Sequence, residues 1–309
     1  MEFDDTSMLS TSTGADLHLL HRAPGGGARA VVQINHGLAE HAGRYARFAD
    51  FLAGRGFHAY AHDHRGHGRT KAPGAPLGHF GHQAGADTLL SDVSAVHDHI
   101  AVRHPGLPVI VFGHSMGGMI ALNFALRHSG RIAGATVWNA PLATRLEGLA
   151  GKAVLAWERF RLGSDVPSRL LPKLTFGAWA RAVAGHRTAF DWLSRDPAEV
   201  DKYVADPLCG FDASVGVWTA LFDLSLMAAD AAAHRAARKD LPFHLVGGGC
   251  DPSTRRGSIV LDLEKRLRRN GFSNLETRIY EENRHESLNE INRGEVMRDF
   301  AAWAEKIID

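Results

Sequence analysis

Val109-Ile110-Val111-Phe112-Gly113-His114-Ser115-Met116-Gly117-Gly118 joins a short apolar run to a glycine-flanked serine and then to an apolar-periodic segment reaching Arg127. The run reads as a buried strand and the segment from Gly118 to Arg127 as a helix. A strand that turns sharply into a helix with a serine at the apex is a nucleophile elbow. The turn holds Ser115 in a strained conformation. The small neighbours Gly113 and Gly117 keep side chains off the flanking strand and helix, so the hydroxyl is presented above the sheet. In a chain with 33 glycines the five-residue string alone is weak, and its strand–turn–helix context carries the reading.

Outward from this point the chain alternates. Apolar runs at Ala30–Ile34, Phe57–Ala61 and Ala135–Trp138 are separated by helical segments at Tyr45–Leu52 and Asp87–Val102. Unbroken apolar strands between amphipathic helices predict an α/β fold, a mostly parallel sheet flanked by helices on both faces. Ahead of it, Met8–Thr13 and Asp16–Arg22 read as an opening hairpin. The next convincing strand, Phe243–Val246, comes about a hundred residues after Trp138, whereas a crossover needs only about a dozen. An insertion at 142–230 is therefore expected, between core segments 1–141 and 231–309. It holds Trp157, Trp179, Trp192 and Trp218, which would form a small helical core or line an acyl pocket. Helix Ser258–Arg269, strand Leu275–Tyr280 and helix Glu295–Ile308 then restore the pattern.

Composition excludes several classes. At roughly 150 residues per domain, 309 residues suggest two units or one large domain with an insertion. A hydrophobic content of 45% with 22% charged residues is that of a folded globular chain. Thirty-five Lys and Arg against 34 Asp and Glu leave +1, so no global field draws the chain to nucleic acid or to an anionic membrane. Cys209 and Cys250 cannot make a disulfide framework or a four-cysteine zinc site, which fits a reducing, cytoplasmic setting. The acidic start Met1-Glu2-Phe3-Asp4-Asp5 is not that of a secretory signal, and no run of about 18 apolar residues predicts a membrane span.

A serine hydroxyl needs a base within hydrogen-bond reach, and the base needs a carboxylate to fix its tautomer. Behind a nucleophile elbow the chain order is serine, acid, histidine. Nineteen histidines make composition useless for choosing the base, but His285 follows the last strand and precedes the last helix, at a carboxyl edge of the sheet. Asp251 follows Phe243–Val246 in the same way, though Asp251-Pro252-Ser253-Thr254 also has the composition of a turn or helix cap. Attack on an ester makes an oxyanion that requires backbone donors fixed in advance. Met116 N–H, at the start of the elbow helix, is one candidate, and Leu38 N–H, in the turn Asn35-His36-Gly37-Leu38, is the other.

His36-Gly37-Leu38-Ala39-Glu40-His41-Ala42-Gly43-Arg44-Tyr45, Asp63-His64-Arg65-Gly66-His67-Gly68, Gly113–Gly118, Asp251-Pro252 and Arg284-His285-Glu286 together resemble the monoacylglycerol lipase and lysophospholipase branch of the α/β-hydrolases. Asp206-Pro207-Leu208 resembles the segment where that family's cap returns to the core. The resemblance spans nearly the whole chain. It implies the α/β-hydrolase fold with an inserted helical cap, and a serine hydrolase acting on monoacyl lipids or related carboxylic esters without metal or organic cofactor. The implied partner is a small-molecule acyl ester, with no nucleic acid, and transient contact of the cap with lipid aggregates is left open. The acid's glycine-rich turn, Gly247-Gly248-Gly249-Cys250-Asp251, and the segment beyond Asp206 depart from the family pattern. Thioester hydrolysis, peptide hydrolysis and acyl transfer would use the same residues, and the scaffold can serve as a small-molecule receptor. A different chemistry is suggested by His62, His64 and His67, whose spacing resembles the opening ligands of a zinc-dependent hydrolase but lacks an acid at Gly66.

Overall fold

The computed structural model describes residues 3–309. The chain opens with the expected hairpin, β1 (Asp5–Ser10) antiparallel to β2 (Asp16–Arg22), with Ser10 opposite Asp16. The first strand lies nearer the amino end than Met8–Thr13. The hydroxyls of Thr11 and Thr13 leave the ladder to bond Asp92, and Thr11 N–H closes the turn on Ala15 O. There follow β3 (Ala30–Asn35), α1 (Ala46–Ala53), β4 (Phe57–His62), α2 (Ala86–Arg103), β5 (Val109–His114), α3 (Met116–His128) and β6 (Gly134–Trp138). Six helices come next: α4 (Arg145–Leu162), α5 (Leu171–Leu174), α6 (Phe176–Ala182), α7 (Pro197–Ala205), α8 (Val215–Met227) and α9 (Ala231–Ala236). The chain ends with β7 (Phe243–Gly248), α10 (Ser258–Arg269), β8 (Leu275–Tyr280) and α11 (Arg293–Ile308).

The eight strands form one sheet in the order β1-β2-β4-β3-β5-β6-β7-β8, antiparallel at β1, β2 and β4 and parallel from β4 to β8. Every residue of β3, β5, β6 and β7 is buried, which is why those segments read as unbroken apolar runs. Within β5 the two faces still alternate. Ile110 and Phe112 pack with Phe48 of α1 and Phe300 of α11, whereas Val111 packs with Ile120 and Phe124 of α3.

From β3 the chain passes to β4 on one side and then to β5 on the other, so the carboxyl ends of β3 and β5 diverge and leave a crevice. The six helices between β6 and β7 cover 145–236, and the last of them, α9, begins where the insertion is expected to end. Asp230 caps α9, which packs on α3. α8 lies against both α3 and α4, and its Val217, Trp218, Leu221 and Leu224 share a core cluster with α3. A smaller cluster gathers Ala180, Trp192, Leu193 and Tyr203. Among the described residues both cysteines are free, and no helix is long and apolar enough to cross a membrane.

Candidate active site

Ser115 stands at the N-terminus of α3 with φ +56° and ψ −118°, a conformation a non-glycine residue adopts only when its surroundings enforce it. Here its N–H donates to Trp138 O at 2.8 Å. A Cβ on Gly113 would sit 2.0 Å from Gly117 O, and one on Gly117 would sit 2.0 Å from Asn35 O. Backbone therefore passes where any side chain would collide, and the elbow requires both glycines.

The side chains expected from β5, β7 and β8 meet. Ser115 Oγ lies 2.9 Å from His285 Nε2, and His285 Nδ1 lies 3.0 Å from Asp251 Oδ2. Both His285 and Asp251 are buried. Asp251 Oδ2 also accepts from Asn139 Nδ2 at 3.0 Å and Thr254 Oγ1 at 2.9 Å, and Oδ1 accepts from Ser253 N at 2.9 Å and Ser253 Oγ at 2.7 Å. Burial pushes the Asp251 carboxyl up, but the charge of His285 and these hydrogen bonds outweigh it and hold the group at about 2. Its turn character is real as well, through Ser253 N–H. The cap of α10, however, is Gly257.

Leu38 and Met116 flank Ser115 on one cavity wall, and neither N–H has a hydrogen-bond acceptor among the described residues. Both are backbone donors left without a partner beside Ser115. The bend in this loop belongs to Ala39, at φ +56°. Gly37 is required by close approach: a Cβ there would lie 2.7 Å from Glu40 Oε1 and 3.2 Å from Ser115 Cβ.

Glu40, Arg44, His114 and Glu286 lie in the sequence motifs with no role that spacing assigns, Ser253 reads there only as part of a turn, and Asn139 carries no signal. Arg44 donates from Nη1 to Glu40 Oε2 at 2.7 Å and forks onto Glu286, at 2.5 and 2.7 Å. Glu40 Oε1 accepts from Gly37 N at 2.5 Å and Tyr45 Oη at 3.0 Å, fixing the Leu38 loop. His114 Nδ1 faces Glu40 Oε1 at 3.3 Å and Nε2 faces His285 O at 3.1 Å. Both neighbours are acceptors, so both favour a proton on the ring nitrogen that faces them. Burial alone would lower its pKa, but the hydrogen bond and charge of Glu40 raise it above 6.5. Its stabilisation is therefore complete below pH 6.5 and fades as pH rises through the raised value. The stability gap between the wild type and His114→Asn should shrink from about pH 6 to pH 9 in urea titrations. A gap constant across that range would contradict the charge assignment.

His62, His64 and His67 do not bring three donor atoms within 4.8 Å of one another. His62 ends β4, and His64 and His67 lie in the buried loop after it, which props the Leu38 segment: His64 N–H donates to His36 Nε2 at 3.0 Å, and Asp63 Oδ1 accepts Ala42 N–H at 2.8 Å. Asp206 returns from the insertion to His41 Nε2 at 2.9 Å, and Tyr203 Oη donates to Ala39 O at 2.8 Å.

A cavity of about 300 Å³ opens on Ser115 and His285. Trp179, Trp192 and Trp218 line it with Phe176, Phe222 and Met119, while Trp157 is half exposed and stands outside. Trp192 also packs on the His285 ring, with centroids 4.9 Å apart. Among the described residues no lysine or arginine lines the cavity.

The model of the family described as serine aminopeptidase, S33 matches residues 26–292. Human monoglyceride lipase is 31% identical over 251 residues, covering 81% of this chain and 74% of that protein. Monoacylglycerol lipase of Mycolicibacterium smegmatis is 30% identical over 276 residues, covering 89% and 88%. A thermostable carboxyl esterase from Bacillus coagulans, solved in complex with glycerol, superposes over 100% of both chains with a TM-score of 0.87 at 24% identity.

Proposed function

The chain belongs to the serine aminopeptidase S33 family and has the α/β-hydrolase fold; from that premise we propose that it is a serine hydrolase of uncharged carboxylic esters of the monoacylglycerol type. The observation that carries this reading is the unbroken chain from Ser115 Oγ through His285 to Asp251 at one end of an apolar, aromatic cavity.

His285 Nε2 takes the Ser115 proton as Oγ attacks the acyl carbon, and the carbonyl oxygen becomes an oxyanion held by the N–H groups of Leu38 and Met116. Collapse breaks the ester bond. The alcohol leaves with the proton from His285, and Ser115 remains acylated. His285 then deprotonates water, which attacks the acyl carbon, and a second collapse returns the proton to Ser115 and releases the acid. Asp251 keeps the Nδ1 proton in place and stabilises the imidazolium at each stage. Residues 142–230 act as a cap that encloses the acyl chain and keeps bulk water from the oxyanion.

The lining supports an ester over a peptide. An aminopeptidase needs a free carboxylate beside the scissile bond for the substrate ammonium, yet Glu40 and Glu286 are already paired with Arg44 and His114, and the charge of exposed Asp212 is screened by solvent. With no lysine or arginine on the wall, an uncharged glycerol leaving group is favoured over a phosphate-bearing one.

The test is a kcat/KM series on nitrophenyl esters of increasing chain length, followed by monoacylglycerol, lysophospholipid and aminoacyl nitroanilides. Each added methylene buried in the cavity is worth about 0.8 kcal/mol, so kcat/KM should rise about fourfold per carbon until the cavity is filled. Monoacylglycerol should then exceed lysophospholipid. A flat, low ester profile, or faster turnover of the aminoacyl nitroanilides, would overturn the reading.

A further inference from the structure

At the other end of the sheet from Ser115, three imidazoles meet. His58 is the second residue of β4, level with Val31 and hence with Val109 at the start of β5; His21 lies near the end of β2, and His104 caps the carboxyl end of α2. His21 Nε2 is 2.9 Å from His58 Nδ1, the His58 and His104 ring centroids are 4.0 Å apart, and one ring nitrogen of each residue lies within 4.8 Å of the other two. All three are half-buried, so an ion has access from solvent.

We propose that His21, His58 and His104 form a binding site for a first-row divalent transition ion, Zn²⁺ being the type. Zn–N bonds of about 2.0–2.1 Å set tetrahedral ligand nitrogens about 3.3 Å apart, within the range these rings already span, so small ring rotations suffice. Neutral imidazole suits Zn²⁺, Ni²⁺ and Cu²⁺ and not Mg²⁺ or Ca²⁺. Imidazoles this close cannot all be protonated, since like charges repel, and the proton between His21 Nε2 and His58 Nδ1 would move to the other nitrogen of its ring when both coordinate.

Tyr60 organises the group. Its ring stacks on His21, with centroids 4.1 Å apart and planes at 16°, and its Oη lies 2.8 Å from His104 Nε2. Partners of this kind orient metal-bound imidazoles. Asp5 faces His21 in the β1–β2 register and offsets the exposed Arg103 beside His104. Water completes the coordination. The ion would tie β2, β4 and the end of α2 together, and it would stabilise the folded chain because the unfolded chain has no such site.

A second trio, His41, Asp206 and Cys209, offers the competing location beside the candidate active site. Full-length protein freed of metal by a chelator is titrated with ZnSO₄ in a calorimeter, its melting temperature is followed with Zn²⁺ and with Mg²⁺, and Co²⁺ spectra report the ligand type. We expect one equivalent of Zn²⁺, a rise in melting temperature with Zn²⁺ alone, and a Co²⁺ spectrum without thiolate charge transfer. His58→Ala and His104→Asn should each weaken binding at least about tenfold, whereas Cys209→Ser should leave it intact. His104, at a helix end, decides the matter should His58→Ala not fold. Absence of saturable binding, unchanged affinity in His104→Asn, or loss of binding in Cys209→Ser would overturn the site.

Discussion

Ser115→Ala should lower kcat on a nitrophenyl ester by about a millionfold, or about 8 kcal/mol of barrier, without loss of folding. The variant removes only the oxygen that attacks. Its methyl group fits the same φ +56° backbone, and the N–H bond to Trp138 O and the two glycine contacts are untouched. The Leu38 and Met116 donors would remain, so a residual acceleration of about 10³–10⁴ over water is expected. Stopped-flow and long-time assays with matched denaturant midpoints check both halves. Activity within a factor of ten of the wild type would mean that the bond-making oxygen is elsewhere, whereas the same loss with a collapsed midpoint would locate the defect in the elbow.

Asp251→Asn should cost about 10⁴-fold in kcat near pH 7 through the tautomer of His285. The surroundings of Asp251 make the reason specific. Its two oxygens accept from five donors, among them the fixed Asn139 amide and the Ser253 backbone N–H. An asparagine must turn an NH₂ toward one side. Facing Oδ1's partners it meets the immovable Ser253 N–H; facing the other side it meets Asn139 and the His285 ring. On the His285 side the imidazole can relieve the conflict by moving its proton from Nδ1 to Nε2, after which it cannot accept from Ser115. Ser253 Oγ, 2.8 Å from His285 Nδ1, can hold part of the productive tautomer. Removing it in the Asp251→Asn background should therefore lower the rate further. A loss of less than tenfold in Asp251→Asn would move the acid elsewhere.

Much of this arrangement was legible along the chain because its causes are local. An apolar run, two glycines and a serine dictate the elbow, since only glycine fits where backbone passes at 2.0 Å from a would-be Cβ. Alternating strands and helices dictate a parallel sheet, and a parallel sheet delivers loop residues such as Asp251 and His285 to one edge. Helix ends lie a residue or two from where periodicity places them. Met116 and Ala46 begin their helices at turns whose hydrogen bonds, not periodicity, set the start.

The charged frame around the site was not legible. Arg44 and Glu286 are 242 positions apart, and the fork between them exists because the β3 and β8 loops emerge at the same edge of the sheet. Ser253 reads as an ordinary turn residue and Asn139 carries no signal until Asp251 lies between them, and the pull of His114 toward its protonated form comes only from a carboxylate on one side and a carbonyl on the other. The sequence by itself determined which atoms are available to react and which segments fold into strands, because those follow from residue chemistry and short-range sterics. Only the tertiary structure decided which buried charges neutralise one another, which tryptophans line the cavity and which histidines meet, because those depend on distances between segments that chain spacing does not encode.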